Sequence, residues 1–301
     1  MLNNTTCPLY QGDLNTLGST VKFTASLVIA VLCPVAVVGN ALILVTIWKK
    51  SFSRTSFHIL LSGLALSDFC TGLIAYPTYA SYSLILSTNS TVVRGTPQPT
   101  NVLGKVTVIS AIYLVTITFL TLTLMSIERW LHMSGGFSFT SHRRFLVLVV
   151  ILFLPIPLVA LYFLNPPSFP IVISIEMFIS YCVTSFAYFK IYRIIRSHQN
   201  QTQANRIPGN FGHSAIDVTK YKRSVATILY ILLLFSICFL PFIVSNTVNV
   251  LIKAGPRELN ITIDVTMVLV FLSSSLSPGL YLWRMRDIRN GFKQLFVCRR
   301  N

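Results

Sequence analysis

Charged residues are scarce in this sequence. Only 11% of its 301 residues are charged, and just 8 of them are acidic, against 24 lysines and arginines. A soluble globular domain is about one quarter charged. The scarcity therefore excludes an ordinary soluble domain. Because hydrophobic residues make up 53% of the chain, it predicts an integral membrane protein.

Signatures of enzymes and of repeat-built transporters are also missing. Neither HExxH nor GxSxG occurs, and the intramembrane acids Asp68 and Glu176 lie on different apolar runs. The chain shows no internal repeat, which argues against transporters assembled from inverted halves. We therefore expect no catalytic activity, and a transporter or channel is the alternative from another functional class.

Seven apolar runs are each long enough to cross a bilayer as a helix, which takes about 20 residues. None shows the short alternating segments of a membrane barrel. Since a helix satisfies its own backbone groups in lipid, the runs predict an all-helical bundle. The runs are Phe23–Trp48, Phe57–Leu86, Val106–Ile127, Phe145–Leu164, Ile171–Tyr192, Val225–Ile252 and Ile261–Trp283.

Most basic residues fall in the connections on one side of the predicted bundle and in the C-terminal tail. The positive-inside rule then places the N-terminus outside the cell and the C-terminus in the cytoplasm. We expect a multi-pass plasma-membrane protein with an extracellular segment (1–21), a seven-helix domain (22–284) and an interfacial helix with a cytoplasmic tail (285–301). The charge is divided among separate loops, so it indicates contact with anionic membrane lipid and not with nucleic acid.

Modification sites follow from this orientation. Residues 284–298 place Ile288, Phe292 and Leu295 on one face of a basic amphipathic helix, which is suited to lie along the inner leaflet. Cys298 at its end is a palmitoylation candidate; the alternative is an unmodified tail cysteine. The sequons on the outer side, at which we expect glycosylation, are Asn3, Asn4, Asn89 and Asn260.

Five short motifs occur in order along the predicted spans, and together they resemble the rhodopsin-like G-protein-coupled receptors over nearly the whole chain. The motifs are Gly39-Asn40 in the first span, Leu64-Ala-Leu-Ser-Asp68 in the second, Glu128-Arg129-Trp130 at the end of the third, Phe235-Ser-Ile-Cys-Phe239-Leu-Pro241 in the sixth and Ser277-Pro278-Gly-Leu-Tyr281 in the seventh.

The resemblance implies a receptor that binds an extracellular ligand and activates a heterotrimeric G protein when the sixth helix swings outward. In this family the arginine matching Arg129 then reaches toward the G protein and toward two tyrosines, here Tyr188 and Tyr281. The alternative for Arg129 is an interfacial anchor. The remaining members of this predicted switch are Glu128, Phe235, Phe239, Pro241 and Pro278.

Asp68 is a carboxylate near the middle of the membrane, where it needs a partner, a proton or a cation. By the resemblance, polar side chains surround it as in the family's sodium pocket, so a sodium ion is the one cofactor that we consider. The alternative is a protonated or hydrated Asp68 that holds helices together. The surrounding residues are Asn40, Thr118, Ser273, Ser274 and Ser277.

Several departures from the family pattern stand out. Gly104 occupies the helix-three position of the family's outer disulfide, residues 165–170 contain no cysteine, and Ser180 replaces a proline. These features resemble the melanocortin, cannabinoid and lysophospholipid receptors; the run from Tyr281 to Phe292 is also similar to the adenosine receptors. Tyr221 stands where the sixth helix commonly begins with an acid that restrains the arginine, so we expect raised basal signalling. A receptor fold without coupling is the alternative.

The ligand is not given by the resemblance. Ala111 replaces the aspartate of amine receptors and Phe271 the lysine of opsins, which disfavours a monoamine and excludes retinal. Glu176 in the fifth span is then the leading ligand-binding candidate, with Asn246, Asn249 and Asp264 as its companions. A protonated Glu176 bonded to a neighbouring helix is the alternative.

Overall fold

The computed structural model of the chain describes residues 8–49, 56–88, 99–135, 150–164, 169–204, 213–252 and 258–297. Regular structure within these ranges is entirely helical. The predicted bundle of seven membrane helices with an eighth helix is confirmed. Four of the predicted modification sites, Asn3, Asn4, Asn89 and Cys298, lie outside the described residues.

The helices follow the predicted apolar runs. Six of the first seven are long and apolar enough to cross a membrane, and the described part of α4 is shorter. The bounds are α1 Pro8–Lys49, α2 56–88, α3 Pro99–Met133, α4 Val150–Leu164, α5 Phe169–Ala204, α6 His213–Ile252, α7 Glu258–Arg284 and α8 Arg286–Val297.

Several helices extend beyond their apolar runs. α1 begins at Pro8, within the segment predicted as an extracellular tail. α5 continues to Ala204 and α6 begins at His213, so both helices extend into the polar sequence between their apolar runs. Extending an existing helix adds one hydrogen bond for each residue fixed, so a polar sequence can continue a helix that apolar packing has started.

A π-helical turn at Thr71–Ala75 interrupts α2 between Ser56–Cys70 and Tyr76–Thr88. The turn packs tightly on α1, since a Cβ on Gly72 would lie 2.9 Å from Val37 Cγ2. Cys33 Sγ donates a hydrogen bond of 3.2 Å to the Gly72 carbonyl. A single π-helical turn rotates the residues that follow it about the helix axis. Tyr76, the first residue after this turn, is fully buried.

The bundle is apolar outside and polar at its centre. Large aliphatic side chains project outward, where lipid is their natural surrounding, as at Val31, Ile237 and Leu251. Asn40, Asp68 and several hydroxyl side chains are instead fully buried. Because lipid offers no hydrogen bonds, polar groups of a membrane protein are placed between helices. The candidate functional residues are therefore drawn to the interior.

Two glycines allow helices to approach closely at opposite ends of the bundle. A Cβ on Gly39 of α1 would lie 2.9 Å from Pro278 Cγ of α7, and one on Gly104 of α3 would lie 2.9 Å from Tyr82 Cε2 of α2. Gly104 thus packs a tyrosine where the family places a disulfide cysteine. Small residues are the usual means of close helix packing in membranes.

We expect Gly39→Ala to lower the free energy of unfolding by about 1–3 kcal/mol, because the added methyl forces α1 and α7 apart. Gly279→Ala is the matched control, since a Cβ there meets nothing within 4 Å. Denaturant titration of the purified proteins in mixed micelles measures the difference. A Gly39→Ala protein as stable as Gly279→Ala would contradict the close packing.

Candidate functional site

Asp68 is the centre of a buried junction between α1, α2 and α7. Its side chain is fully buried, and its Oδ1 accepts a 2.8 Å hydrogen bond from Ser274 Oγ. The Ser274 carbonyl in turn accepts a 3.0 Å bond from Asn40 Nδ2, which also donates to Ala36 O at 2.9 Å. Three helices therefore share one short chain of hydrogen bonds.

The other predicted pocket residues are all buried, but their hydroxyls bond mainly to backbone carbonyls. Ser273 Oγ donates to Val270 O at 2.6 Å and Ser277 Oγ donates to Ser273 O at 2.8 Å. Thr118 Oγ1 donates to Leu114 O at 3.0 Å. Ser67 Oγ lies 3.1 Å from Thr118 Oγ1. These bonds hold each hydroxyl close to its own helix.

Two buried oxygens at this junction have no hydrogen-bond donor in the described part of the chain. They are Asp68 Oδ2 and Asn40 Oδ1. A carboxylate and an amide carbonyl oxygen are donors that suit a hard cation, so the residues present fit a sodium ion. The described residues contain no cluster of three histidine, cysteine, aspartate or glutamate side chains that could hold a metal.

The C-terminal end of α3 holds an ion pair. Arg129 Nε lies 3.8 Å from Glu128 Oε2, with side chains 19% and 7% exposed. One turn earlier, Ser126 Oγ donates to the Tyr188 hydroxyl of α5 at 3.4 Å. Tyr281 of α7 is fully buried and its hydroxyl has no hydrogen-bond partner among the described residues. Polar groups of three helices are thus available for new contacts.

An aromatic stack connects α6 to α3 in the bundle interior. The rings of Phe235 and Phe239 are stacked at 5.4 Å and 8° between planes. Phe239 also makes an edge contact of 4.8 Å with Phe119 of α3. A small apolar crevice between α3, α5 and α6 lies beside these three rings.

The N-terminal parts of α1 and α7 and the C-terminal part of α2 meet at a second polar contact. Lys22 Nζ lies 2.8 Å from Asp264 Oδ2, with side chains 23% and 15% exposed. Tyr79 donates to Asp264 Oδ1 at 2.9 Å. We call Lys22, Tyr79 and Asp264 the outer triad.

Phe271 fills the space below the outer triad. Its ring makes edge contacts with Tyr76 at 4.7 Å and with Tyr79 at 5.3 Å. The Tyr76 hydroxyl donates to the Phe271 carbonyl and lies 3.0 Å from Ser275 Oγ. Aromatic packing therefore closes the gap between α2 and α7 at this depth.

The predicted ligand-binding residues divide into two groups. On α5, both carboxylate oxygens of Glu176 are buried without a hydrogen bond among the described residues, and Asn246 Nδ2 of α6 donates to Ser174 Oγ nearby at 2.9 Å. Asp264 and Phe271 instead contact α1 and α2. Ala111 is buried on α3 and Asn249 is half-buried on α6. Within this predicted set, the Glu176 carboxylate is thus the group whose oxygens accept no hydrogen bond from the described residues.

The sequence interpretation missed Lys22, Tyr79 and Phe119. The first apolar run was predicted to begin at Phe23, one residue after Lys22. Its signal was present, because a lysine bordering a span commonly pairs with an acid on a neighbouring helix. Phe119 gave no signal, since one phenylalanine in an apolar run resembles any other.

Known proteins are similar to this chain in sequence and in fold. The family model described as 7 transmembrane receptor (rhodopsin family) matches residues 162–281. The histamine H2 receptor of Homo sapiens is 23% identical over 306 residues, which cover 92% of this chain and 80% of that receptor. The crystal structure of squid rhodopsin has a TM-score of 0.76 at 15% identity and covers 93% of this chain and 86% of that one.

Residues 162–281 of this chain match the rhodopsin-like receptor family, and the overall fold agrees with that match. That family is one of multi-pass membrane receptors and not of enzymes. A QRFP-like peptide receptor of Branchiostoma floridae is also similar, at 21% identity over 88% of this chain and 75% of that receptor. The likeness to melanocortin, cannabinoid, lysophospholipid and adenosine receptors stays a prediction for this rhodopsin-like receptor.

We expect the outer triad to stabilise this receptor through charge pairing. Lys22→Met leaves the Asp264 carboxylate without its cation, whereas Lys22→Met with Asp264→Asn leaves no unpaired charge. Because the pair is neither exposed nor fully buried, a coupling energy of about 1–2 kcal/mol is expected from the double-mutant cycle. Unfolding in mixed micelles measures it, and additive single effects would show that the contact contributes nothing.

Proposed function

We propose that this receptor couples to a heterotrimeric G protein through the cytoplasmic ends of α3, α5, α6 and α7. The observation that supports the proposal is the Glu128–Arg129 pair at 3.8 Å, beside Tyr188 and the unpartnered hydroxyl of Tyr281. When α6 moves outward, Arg129 exchanges Glu128 for the G protein and these tyrosines. Exchange of partners within a packed bundle is an established form of molecular switch.

Two prolines and the aromatic stack provide the path from the outer half of the bundle. Pro241 and Pro278 lie inside α6 and α7, and neither nitrogen can donate the hydrogen bond that would stiffen its helix. Phe239 touches both Phe235 and Phe119. A ligand that displaces the outer part of α6 therefore shifts a ring that α3 also contacts.

We propose that the ligand binds between α5 and α6, at Glu176 and Asn246. A buried carboxylate without a hydrogen bond is costly, and a ligand that supplies a cationic or hydrogen-donating group removes that cost. Histamine is named for the similar H2 receptors, but the residue of this chain that matches the amine-binding aspartate is Ala111. We therefore propose an extracellular ligand other than a monoamine.

We further propose that a sodium ion binds at the Asp68 junction, held by the free oxygens of Asp68 and Asn40. A sodium ion would hold α1, α2 and α7 in the closed arrangement. Replacing sodium by N-methylglucamine should then raise basal nucleotide exchange in membranes containing the wild-type receptor and leave Asp68→Asn unchanged. If replacing sodium changed basal nucleotide exchange equally in the wild type and in Asp68→Asn, sodium binding at Asp68 would be excluded and a protonated Asp68 favoured.

We also propose that the N-terminus is extracellular, that the C-terminus is cytoplasmic, and that the receptor is glycosylated and palmitoylated. α8 packs against α1 and α7 with Ile288 buried, which suits a helix lying along the inner leaflet. An extracellular N-terminus places Asn3, Asn4, Asn89 and Asn260 where glycosylation occurs. A cytoplasmic C-terminus places Cys298 where palmitoylation occurs.

Basal signalling tests the coupling. We expect second-messenger levels above those of mock-transfected cells, because α6 lacks the usual acid that would restrain Arg129. Arg129→Ala should lower this signal about tenfold, since a charged group loses its hydrogen bonds in the active state. Arg193→Ala is the matched control, because Arg193 lies on α5 over the exposed ring of Phe189.

The comparison is made at matched surface expression. Equal signals from wild type, Arg129→Ala and Arg193→Ala would contradict a role for Arg129. A wild-type signal no higher than mock, with no response to any ligand that binds at Glu176, would favour a receptor fold without coupling. Solute uptake or ion conductance by the purified protein in liposomes would instead favour the transporter or channel.

A further inference from the structure

Three side chains join α6 to α7 near the cytoplasmic surface. The guanidinium carbon of Arg284 lies 4.9 Å from the ring centroid of Tyr230 and 5.9 Å from that of Trp283. The two rings meet edge to face, with centroids 5.4 Å apart and planes at 67°. Tyr230 belongs to α6, whereas Trp283 and Arg284 end α7. We call these three residues the inner clamp.

Part of the inner-clamp cation is shielded from water. Arg284 Nε is buried and has no hydrogen-bond partner among the described residues. Trp283 is 62% exposed and Tyr230 38% exposed, so the rings form the outer, lipid-facing side. A cation–π contact is strongest when the cation is desolvated and when tryptophan is one of the rings. The rings are therefore the principal partners of this guanidinium.

The inner clamp lies in the part of the bundle that must move. Tyr230 precedes Pro241 by about three helical turns, and Trp283 and Arg284 follow Pro278. The contact thus joins the cytoplasmic segments of α6 and α7 beyond both prolines. Outward movement of α6 separates Tyr230 from Arg284 and Trp283, while the contact between Arg284 and Trp283 within α7 survives.

We infer that the inner clamp holds α6 closed against α7 and thereby limits basal activity; this inference rests on the proposed movement of α6. Tyr221 occupies the position of the acid that commonly restrains the arginine of α3, so that ionic restraint is missing. The clamp supplies a restraint between a different pair of helices. Tyr230 is the member of the clamp that moves with α6. The quadrupole of its ring attracts the Arg284 guanidinium.

Electron–electron distance measurements test the clamp without a G protein. Spin labels at Val45→Cys of α1 and Leu229→Cys of α6, both on exposed positions, report the distance between these helices. The accessible native cysteines are first replaced by serine. We expect Tyr230→Ala to raise the ratio of long to short distances about three- to tenfold, since one cation–π contact and one ring contact are lost.

Tyr230→Phe is the matched control, because it keeps the ring and loses only the hydroxyl. Its distance distribution should stay within about twofold of wild type. Arg284→Gln provides a second, independent variant and should open α6 as Tyr230→Ala does. The double variant Tyr230→Ala with Arg284→Gln should be no more open than either single variant, because both remove the same contact.

Two outcomes would overturn the inference. One is a distribution for Tyr230→Ala or Arg284→Gln that matches wild type in folded, monodisperse protein. The other is an equal shift in Tyr230→Phe, which would assign the effect to the hydroxyl. Basal signalling of the same variants separates this inference from the proposed coupling. Open distances without altered signalling would refute the coupling alone, and altered signalling with unchanged distances would refute the clamp alone.

Discussion

The buried carboxylate of Asp68 is the constraint on which the rest of the bundle depends. A charged or polar group at this depth has no water to bond with, so neighbouring helices must approach to serve it. Ser274 Oγ of α7 donates to the carboxylate at 2.8 Å, and Asn40 Nδ2 of α1 donates to the Ser274 carbonyl at 3.0 Å. Gly39 permits this approach of α1 to α7. A few polar contacts thus hold the helices together, because the apolar helix surfaces could contact lipid as favourably as they contact one another.

These contacts are distributed unevenly along the bundle. The outer triad of Lys22, Tyr79 and Asp264 joins α1 and α2 to α7 at one end of the bundle, and the inner clamp joins α6 to α7 at the other end. Between them, Phe235, Phe239 and Phe119 form a purely aromatic contact, which can slide without leaving a buried charge. Hydrogen bonds and an ion pair thus join α1, α2 and α7, whereas aromatic rings make the contacts of α6 with α3 and α7 described above.

Local rules predicted the fold because each span needs only a long apolar run and each motif only a short sequence. Asp68 and Arg129 could be singled out because ionisable residues are rare in membrane spans. The outer triad and the inner clamp could not, since they join residues far apart in the chain whose pairing depends on helix rotation. The π-helical turn in α2 is the clearest case: its extra residue turns Tyr76 toward Phe271, and no propensity or period in the sequence indicates it.

The central claim is that a G protein and the outward position of α6 stabilise each other. The most direct measurement is the distance between spin labels on α1 and α6 of the receptor in lipid nanodiscs, with and without nucleotide-free heterotrimeric G proteins. A longer distance that appears with a G protein and is lost in Arg129→Ala is the predicted result. A distance distribution that none of the heterotrimers changes, in protein shown to be folded, would contradict the account.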